Sequence, residues 1–441
     1  MKIAVAGTGY VGLVTGVALA NIGHSVICVD VDESKISMLS NGVSPIFEDG
    51  LEDLMKKNKD RIVYTTDYKM AYKNAEVIFV GVGTPERHDG SANLDYVQKV
   101  CEQIAEYVEN DCVVVIKSTV PIGTNDKLEE YLNNNKKLGV RISVASNPEF
   151  LAQGTAIKDT LHASRIVVGT EDKRANIVMR EIYKTLTAEP YNVPYLSMNR
   201  RSAEMVKYAS NDFLALKISY INEVANLCET IGANIDDVTN GMGFDGRIGS
   251  KFLNAGIGYG GSCFPKDTKA LHWFSRENNA ELKTVKSTIE VNAKQKLRLF
   301  DKLKKDCENI AGLKVAILGA SFKPGTDDLR EAPSIDIINA LSDYDLDIVV
   351  YDPVSIAKLK DIFGDRIKYS KSISKALSGS DVCIITTEWP QIVNYKLNDY
   401  KKYMNTPNIY DGRNCYSIDE AKKAKIYYNS IGRPAIGSYL K

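Results

Sequence analysis

Over roughly the first 170 residues, short apolar runs alternate with stretches whose apolar positions recur every three or four residues. The runs Ile3–Ala6, Val26–Val29, Val77–Val82, Val113–Lys117, Ile142–Ala145 and Ile166–Val168 are rich in β-branched residues. Such runs predict strands buried on both faces, and their alternation with helices predicts βαβ units on a parallel sheet. From Ser202 to Glu229 the pattern changes. Val206, Phe213, Leu214, Ile218, Ile221, Val224 and Ala225 mark a helix that neither Pro nor Gly interrupts. At 1.5 Å per residue it would span about 40 Å. It reads either as a connector or dimerisation element, or as a buried core helix. From Leu313 the α/β rhythm returns and echoes the start. Lys314–Ser321 resembles Lys2–Gly9, Ile348–Pro353 resembles Ile27–Asp32, and Ser380–Thr387 resembles Ala75–Val82, with Asn408–Asn414 as a further strand end. The expected fold is α/β. Two doubly wound parallel-sheet domains, residues 1–198 and 301–441, are joined by a long central helix and a helical middle, 199–300, with a cleft between the outer two.

Composition narrows the classes. A chain of 441 residues exceeds one ordinary domain. Lys+Arg and Asp+Glu balance at 56 each, so nothing points to nucleic acid or an anionic membrane surface. No apolar run reaches the 18 residues of a spanning helix, and the glycines of the N-terminal segment argue against a signal peptide. Eight scattered cysteines without a C-x-x-C pair fit a reducing, cytoplasmic compartment. Four histidines, none paired at ligand spacing, give no metal site.

Gly7-Thr8-Gly9-Tyr10-Val11-Gly12 matches G-x-G-x-x-G, follows a strand and opens a helix. In such a motif the first glycine allows the tight turn, the second lets a pyrophosphate approach, and the third allows close helix packing. The phosphates would sit at the helix N-terminus. Asp30 ends the next strand, where a carboxylate accepts the ribose hydroxyls and repels a 2′-phosphate, favouring NAD over NADP. The motif makes the first domain Rossmann-like, a dinucleotide site. The alternative is a tight strand–helix turn with no ligand. Lys35 either touches the adenosine end or lies on a solvated helix face. Thr84 and Thr119 follow strand ends, where open parallel sheets bind ligands. Each is either a ligand contact or turn chemistry.

Gly258-Tyr259-Gly260-Gly261-Ser262-Cys263-Phe264-Pro265-Lys266-Asp267 places three glycines before a cysteine. The glycines would let backbone approach a ligand. Cys263 is expected near the start of a helix, Thr268–Arg276. That helix and Lys266 would both favour a nucleophilic thiolate, with Asp267 as base or water-orienting group. The alternative is a structural cysteine beside a glycine turn. Lys207 and Asn211, four apart, share a helix face. They could stabilise an alkoxide, or Lys207 could be solvated surface.

Taken together, GTGYVG (7–12), STVPIG (118–123), NPEFLAQG (147–154), Lys207 with Asn211, GYGGSCFPKD (258–267) and FKPGTDDLRE (322–331) resemble the UDP-glucose/GDP-mannose dehydrogenase family over essentially the whole chain. The resemblance implies a four-electron oxidation of a nucleotide-sugar C6 alcohol to the acid with two NAD+, serving polysaccharide biosynthesis. Cys263 would form a thiohemiacetal and then a thioester. Lys207 and Asn211 would stabilise oxyanions, and Thr119, Glu149 and Asp267 would serve the proton transfers and the hydrolytic water. The resemblance further implies that Phe150 and Leu151 line the sugar pocket, and that segment 251–256, with Phe252, wraps the uridine diphosphate beside Gly260. Arg247 would reach the substrate of a neighbouring subunit in a homodimer. Lys323 and Arg413 would contact substrate from the second α/β domain, and Arg330 would approach the cofactor. One position departs from the family pattern NPEFL-x-E-G: Gln153 stands where a second glutamate is common. A glutamine cannot act as base, which shifts that work to Glu149 or Asp267. The motifs look closer to the UDP-glucose group. GDP-mannose or an N-acetylated UDP-sugar, a two-electron 3-hydroxyacid dehydrogenase sharing the Lys-x-x-x-Asn pair, and a non-catalytic nucleotide-sugar binder are the alternatives.

Overall fold

The computed structural model describes residues 1–440. Its chain divides at the long helix into a unit spanning Met1–Ser210 and a second that begins at Asn211. The first carries an eight-stranded sheet: β1 (Lys2–Ala6), β2 (Ser25–Val29), β3 (Ile62–Thr65), β4 (Val77–Val80), β5 (Cys112–Ile116), β6 (Ile142–Ser146), β7 (Ile166–Gly169) and β8 (Tyr195–Met198). Their order is β3-β2-β1-β4-β5-β6-β7-β8, the doubly wound arrangement extended by two strands. One join departs from the expected parallel pattern: β7 meets β6 antiparallel, through the single pair Ser146 and Gly169. All six expected strands are present. The two that the apolar pattern missed, β3 and β8, lie at the sheet edges. Only Ile62 of β3 is buried and none of β8, so neither needs a continuous apolar run.

The second unit repeats the plan with β9 (Lys314–Leu318), β10 (Asp347–Tyr351), β11 (Lys368–Ser370), β12 (Val382–Ile385), β13 (Asn408–Asp411) and β14 (Tyr427–Ser430). All neighbours pair in parallel, in the order β11-β10-β9-β12-β13-β14. The echo of the first unit is physical. Gly7 and Gly319 both have left-handed φ, 93° and 86°. Each donates its N–H across the sheet at 2.8 Å, to the Val29 and Tyr351 carbonyls. Beyond each acceptor stands an aspartate. Asp30 Oδ2 accepts the Thr8 N–H and hydroxyl, both at 2.7 Å. Asp352 accepts more: the N–H groups of Ala320, Ser321, Val354 and Ser355, the Ser321 hydroxyl and the Trp389 indole N–H.

Between the sheets the chain is helical, with Arg200–Ile231, Ile235–Gly243, Phe264–Glu277, Lys283–Gln295 and Arg298–Asp306. The long helix extends two residues past the expected bounds at each end and has one buried and one exposed face. Ile221, Ala225 and Cys228 enter the core of the second unit, while Phe213, Tyr220, Leu227 and Ile231 lie exposed. The helix expected at Thr268 starts at Phe264 instead, because Pro265 suits a first helical turn.

Removing the Asp352 carboxylate strands several buried donors, each costing about 1–3 kcal/mol. Asp352→Ala should therefore lower unfolding free energy by roughly 3 kcal/mol or more in urea titrations. A loss below ~1 kcal/mol would show that the carboxylate is not a structural clamp.

Candidate active site

The Gly7–Gly12 turn is tight on one side and open on the other. A Cβ on Gly12 would lie 2.0 Å from the Gly7 carbonyl oxygen, whereas one on Gly9 would meet nothing within 4 Å. The helix Tyr10–Asn21 starts at Gly9 with no side-chain cap, so its first N–H groups face that opening. A diphosphate fits this arrangement, with the N–H groups and the helix dipole turned towards it. Asp30 is half-buried and keeps acceptor capacity beyond the Thr8 donors and the Asp32 N–H. Asp352 is buried and surrounded by donors, which separates a ribose-competent strand end from a closed one. Val11 is half-buried, and the Tyr10 hydroxyl donates to the Phe47 carbonyl. Lys35 lies 3.8 Å from Asp32 on a partly exposed helix face. Buried Thr84 donates to the Thr119 carbonyl at 2.9 Å, joining the loops after β4 and β5 and leaving Thr119 half-buried.

Lys207 is not solvated surface. It is 3% exposed, and its ammonium donates to Glu149 Oε1 at 2.7 Å. The other Glu149 oxygen accepts the Leu151 N–H at 2.8 Å. Phe150 lies under the Arg165 guanidinium, 3.8 Å from its ring centre, with Lys207 at 5.7 Å. Two participants escaped sequence reasoning. Lys117, at the end of β5, is buried and donates to Asn147, the first residue of the NPEFLAQG segment. Glu48 accepts the Gly154 and Ala156 N–H groups, pinning the far end of that segment behind buried Gln153. Lys117 had a sequence signal, a lysine closing an apolar strand. Glu48 had none.

In the second unit, Cys263 is exposed and caps the helix Phe264–Glu277, whereas Cys28, Cys101, Cys112, Cys228 and Cys383 are buried. Ser262 Oγ is 3.8 Å from its sulfur. Asp267 is 1% exposed and takes Lys266 Nζ at 2.5 Å and Asn211 Nδ2 at 2.6 Å. Lys266, expected to act on the thiolate, is thus bonded to this carboxylate. The glycines before Cys263 serve packing, which corrects the expectation that they make room for a ligand. A Cβ on Gly258 would strike Asn292, one on Gly260 the Glu331 carbonyl at 2.3 Å, and one on Gly261 the Phe322 ring. Gly260 therefore faces this chain's own backbone.

The remaining candidates are dispersed. Arg413 donates to the carbonyls of Thr386, Gly258 and Phe322 and locks these loops together. Lys323 sits 5.7 Å from the Phe322 ring centre, and exposed Arg330 is held by Asp328. Arg247 is bonded to Asp245 with its side chain almost fully exposed. Phe252 has left-handed φ and packs on Phe264. Among the described residues, no group of three or more His, Cys, Asp or Glu could hold a metal ion, and no helix is long and apolar enough to cross a membrane.

The sheet order and the Gly7–Gly12 turn define a dinucleotide-dependent oxidoreductase of the doubly wound class. Residues 1–187 match the NAD binding domain of the UDP-glucose/GDP-mannose dehydrogenase family, 201–294 its central domain and 316–418 its UDP binding domain. The chain belongs to that family and is an NAD-dependent oxidoreductase. It is 48% identical over 438 residues to UDP-glucose 6-dehydrogenase YwqF of Bacillus subtilis, covering 99% of this chain and 98% of that protein. TuaD, a UDP-glucose 6-dehydrogenase of the same organism, is 43% identical over 437 residues, covering 99% and 94%. The UDP-glucose dehydrogenase of Pyrobaculum islandicum superposes with TM-score 0.89 at 35% identity, covering 97% and 96%.

Asp212, next to Asn211, has no sequence signal. It is buried, and neither carboxylate oxygen has a hydrogen-bond partner among the described residues. Burial, with Asp267 adding to it, pushes its carboxyl up to about 8. A raised folded value means that the native state holds this proton longer than the unfolded chain. Its stabilisation is full below about pH 4 and is lost as pH rises to about 8. The Tm advantage of Asp212→Asn over wild type should therefore grow from pH 5 to pH 8. A constant difference across that range would mean that Asp212 is ionised throughout.

Proposed function

We propose that this enzyme oxidises UDP-glucose to UDP-glucuronate through a thioester on Cys263. The carrying observation is an exposed cysteine at a helix start, four residues before a buried, doubly bonded Asp267. Relatives named UDP-glucose 6-dehydrogenase, at 48% and 43% identity, support the sugar. The balance is one alcohol, two NAD+ and one water giving one carboxylate, two NADH and three protons.

NAD, when bound, accepts a hydride from C6 at each oxidation. Gly7, Gly9, Tyr10, Val11 and Gly12 hold its diphosphate and Asp30 its ribose, with Lys35, Thr84, Thr119 and Arg330 as further contacts. Lys207 and Asn211 stabilise the C6 oxyanion, since fixed donors aimed at developing charge lower a barrier. Glu149, bonded to Lys207, and Thr119 pass the alcohol proton on. Cys263 adds its sulfur to the aldehyde carbonyl, which keeps C6 attached to the protein until the second oxidation. Water then attacks the thioester while Asp267 takes its proton, and sulfur leaves as thiolate. Phe150 and Leu151 line the sugar end of the substrate, and Phe252, Lys323 and Arg413 contact its nucleotide end. Residues 1–198 serve NAD, 199–300 the chemistry and subunit pairing, and 301–441 the UDP end.

The enzyme acts as a cytoplasmic homodimer in which Arg247 reaches the neighbouring subunit's substrate. Eight free cysteines fit a reducing compartment, and the exposed row Phe213, Tyr220 and Leu227 on one helix fits a second copy. Leu227→Asp should halve the mass seen by light scattering, and an unchanged mass would remove this face from the interface.

The decisive assay counts NADH per sugar with UDP-glucose, GDP-mannose and UDP-N-acetylhexosamines. We expect two NADH per UDP-glucose, and more than a 100-fold loss of turnover in Cys263→Ser, the scale on which missing nucleophiles act. One NADH per sugar would overturn the four-electron reaction, and turnover of another sugar alone would reassign the substrate.

A further inference from the structure

Lys117 belongs to none of the roles above, yet it is a second buried cation near them. Its side chain is buried at the C-terminal end of β5, and the ammonium donates to the Asn147 carbonyl at 3.3 Å and to Asn147 Oδ1 at 3.2 Å. Asn147 is fastened from three other directions. Its N–H donates to Ile116 O at 2.9 Å and its amide to Val167 O at 2.8 Å, and its Oδ1 also accepts the Tyr183 hydroxyl at 2.6 Å. Two residues on, Glu149 holds Lys207.

A neutral side chain could brace Asn147 without the cost of burying a charge. Lys117 instead brings a second ammonium beside an existing ion pair, and its direct partners are neutral. We propose that Lys117 is a positioning residue, whose ammonium clamps the Asn147–Glu149 turn and acts as a second buried positive charge on the Glu149–Lys207 pair.

The surroundings show what this charge meets. Burial pushes the Lys117 ammonium down to about 8, with Glu149 favouring its charged form and Lys207 opposing it. A cavity of about 210 Å³ adjoins it, with Tyr183, Asp159, His162 and Arg165 in the wall. Arg165 is engaged with Phe150 and the hydroxyls of Ser164 and Ser210. Asp159 is engaged with the Ala152 N–H and the Thr155 hydroxyl. By the reciprocity of charge interactions, Lys117 makes Lys207 release its proton more readily. An ammonium that donates to a developing oxyanion is the stronger donor for such a neighbour.

The inference rests on the proposed dehydrogenase reading, so its test has two arms. Lys117→Met removes clamp and charge, Lys117→Gln keeps a donor without charge, and Lys117→Arg keeps the charge. Removing a positive charge favours proton binding nearby, so the acid limb of the kcat profile should move up by about one pH unit in Met and Gln variants. Arg should restore it. An unmoved limb in active, folded Lys117→Gln would overturn the electrostatic role and leave a structural brace.

The second arm needs no substrate. A lysine whose folded proton affinity is depressed binds fewer protons folded than unfolded from about pH 8 to about pH 10. Wild-type stability should therefore rise across that window relative to Lys117→Met. A Tm difference independent of pH would overturn the buried charge, whichever sugar the enzyme turns over.

Discussion

The contact between Gly12 and Gly7 leaves no room for a single extra carbon, since a Cβ on Gly12 would lie 2.0 Å from the Gly7 carbonyl oxygen. That clearance lets the first helix start hard against the end of β1. Gly81 completes it from the β4 side, where a Cβ would lie 2.9 Å from the Gly12 Cα. With the helix so close, its start carries no side-chain cap, and Gly9 leaves the space beside it open. The dinucleotide site of the first unit is thus a by-product of packing that permits no side chain at three positions.

The second sheet shows what happens when the same plan is closed. Gly319 repeats the geometry of Gly7, but a Cβ there would strike Thr387 at 2.5 Å, and Ser321 replaces the open glycine. Its strand-end aspartate is ringed by backbone and indole donors from its own unit, so the carboxylate serves the fold. The first unit's aspartate is satisfied mainly by one threonine and remains available. The two copies of one architecture differ in the number of donors aimed at one strand-end carboxylate, and with it in whether that carboxylate keeps free acceptor capacity.

Much of this was legible in the residues. Central strands announce themselves because burial on both faces demands continuous β-branched runs, and the glycine motifs do so because their backbone angles admit little else. Edge strands such as β8 were silent because half-exposed residues carry no such demand. The fate of Lys207 was also unreadable, since helical spacing cannot distinguish a lysine over solvent from one over Glu149. The glycines before Cys263 were visible as a constraint but misread in cause. Asn292, Glu331 and Phe322, which occupy the space, lie far along the chain, and the sequence around the cysteine holds no trace of them.

Buried charge is costly, and part of it in this molecule lies at the proposed site residues, in addition to structural pairs such as Lys302 with Glu229. Breaking a buried ion pair by removing one partner costs about 3–5 kcal/mol. Lys207 with Glu149, and Asp267 with Lys266 and Asn211, are the buried pairs to which the proposed chemistry assigns proton transfer and oxyanion stabilisation. Lys117 and Asp212 stand one step behind, buried yet without a directly bonded ion of opposite sign. Within the first unit the surplus positive charge of Lys117 opposes further protonation beside it, and within the second the burial of Asp212 favours retention of its own proton.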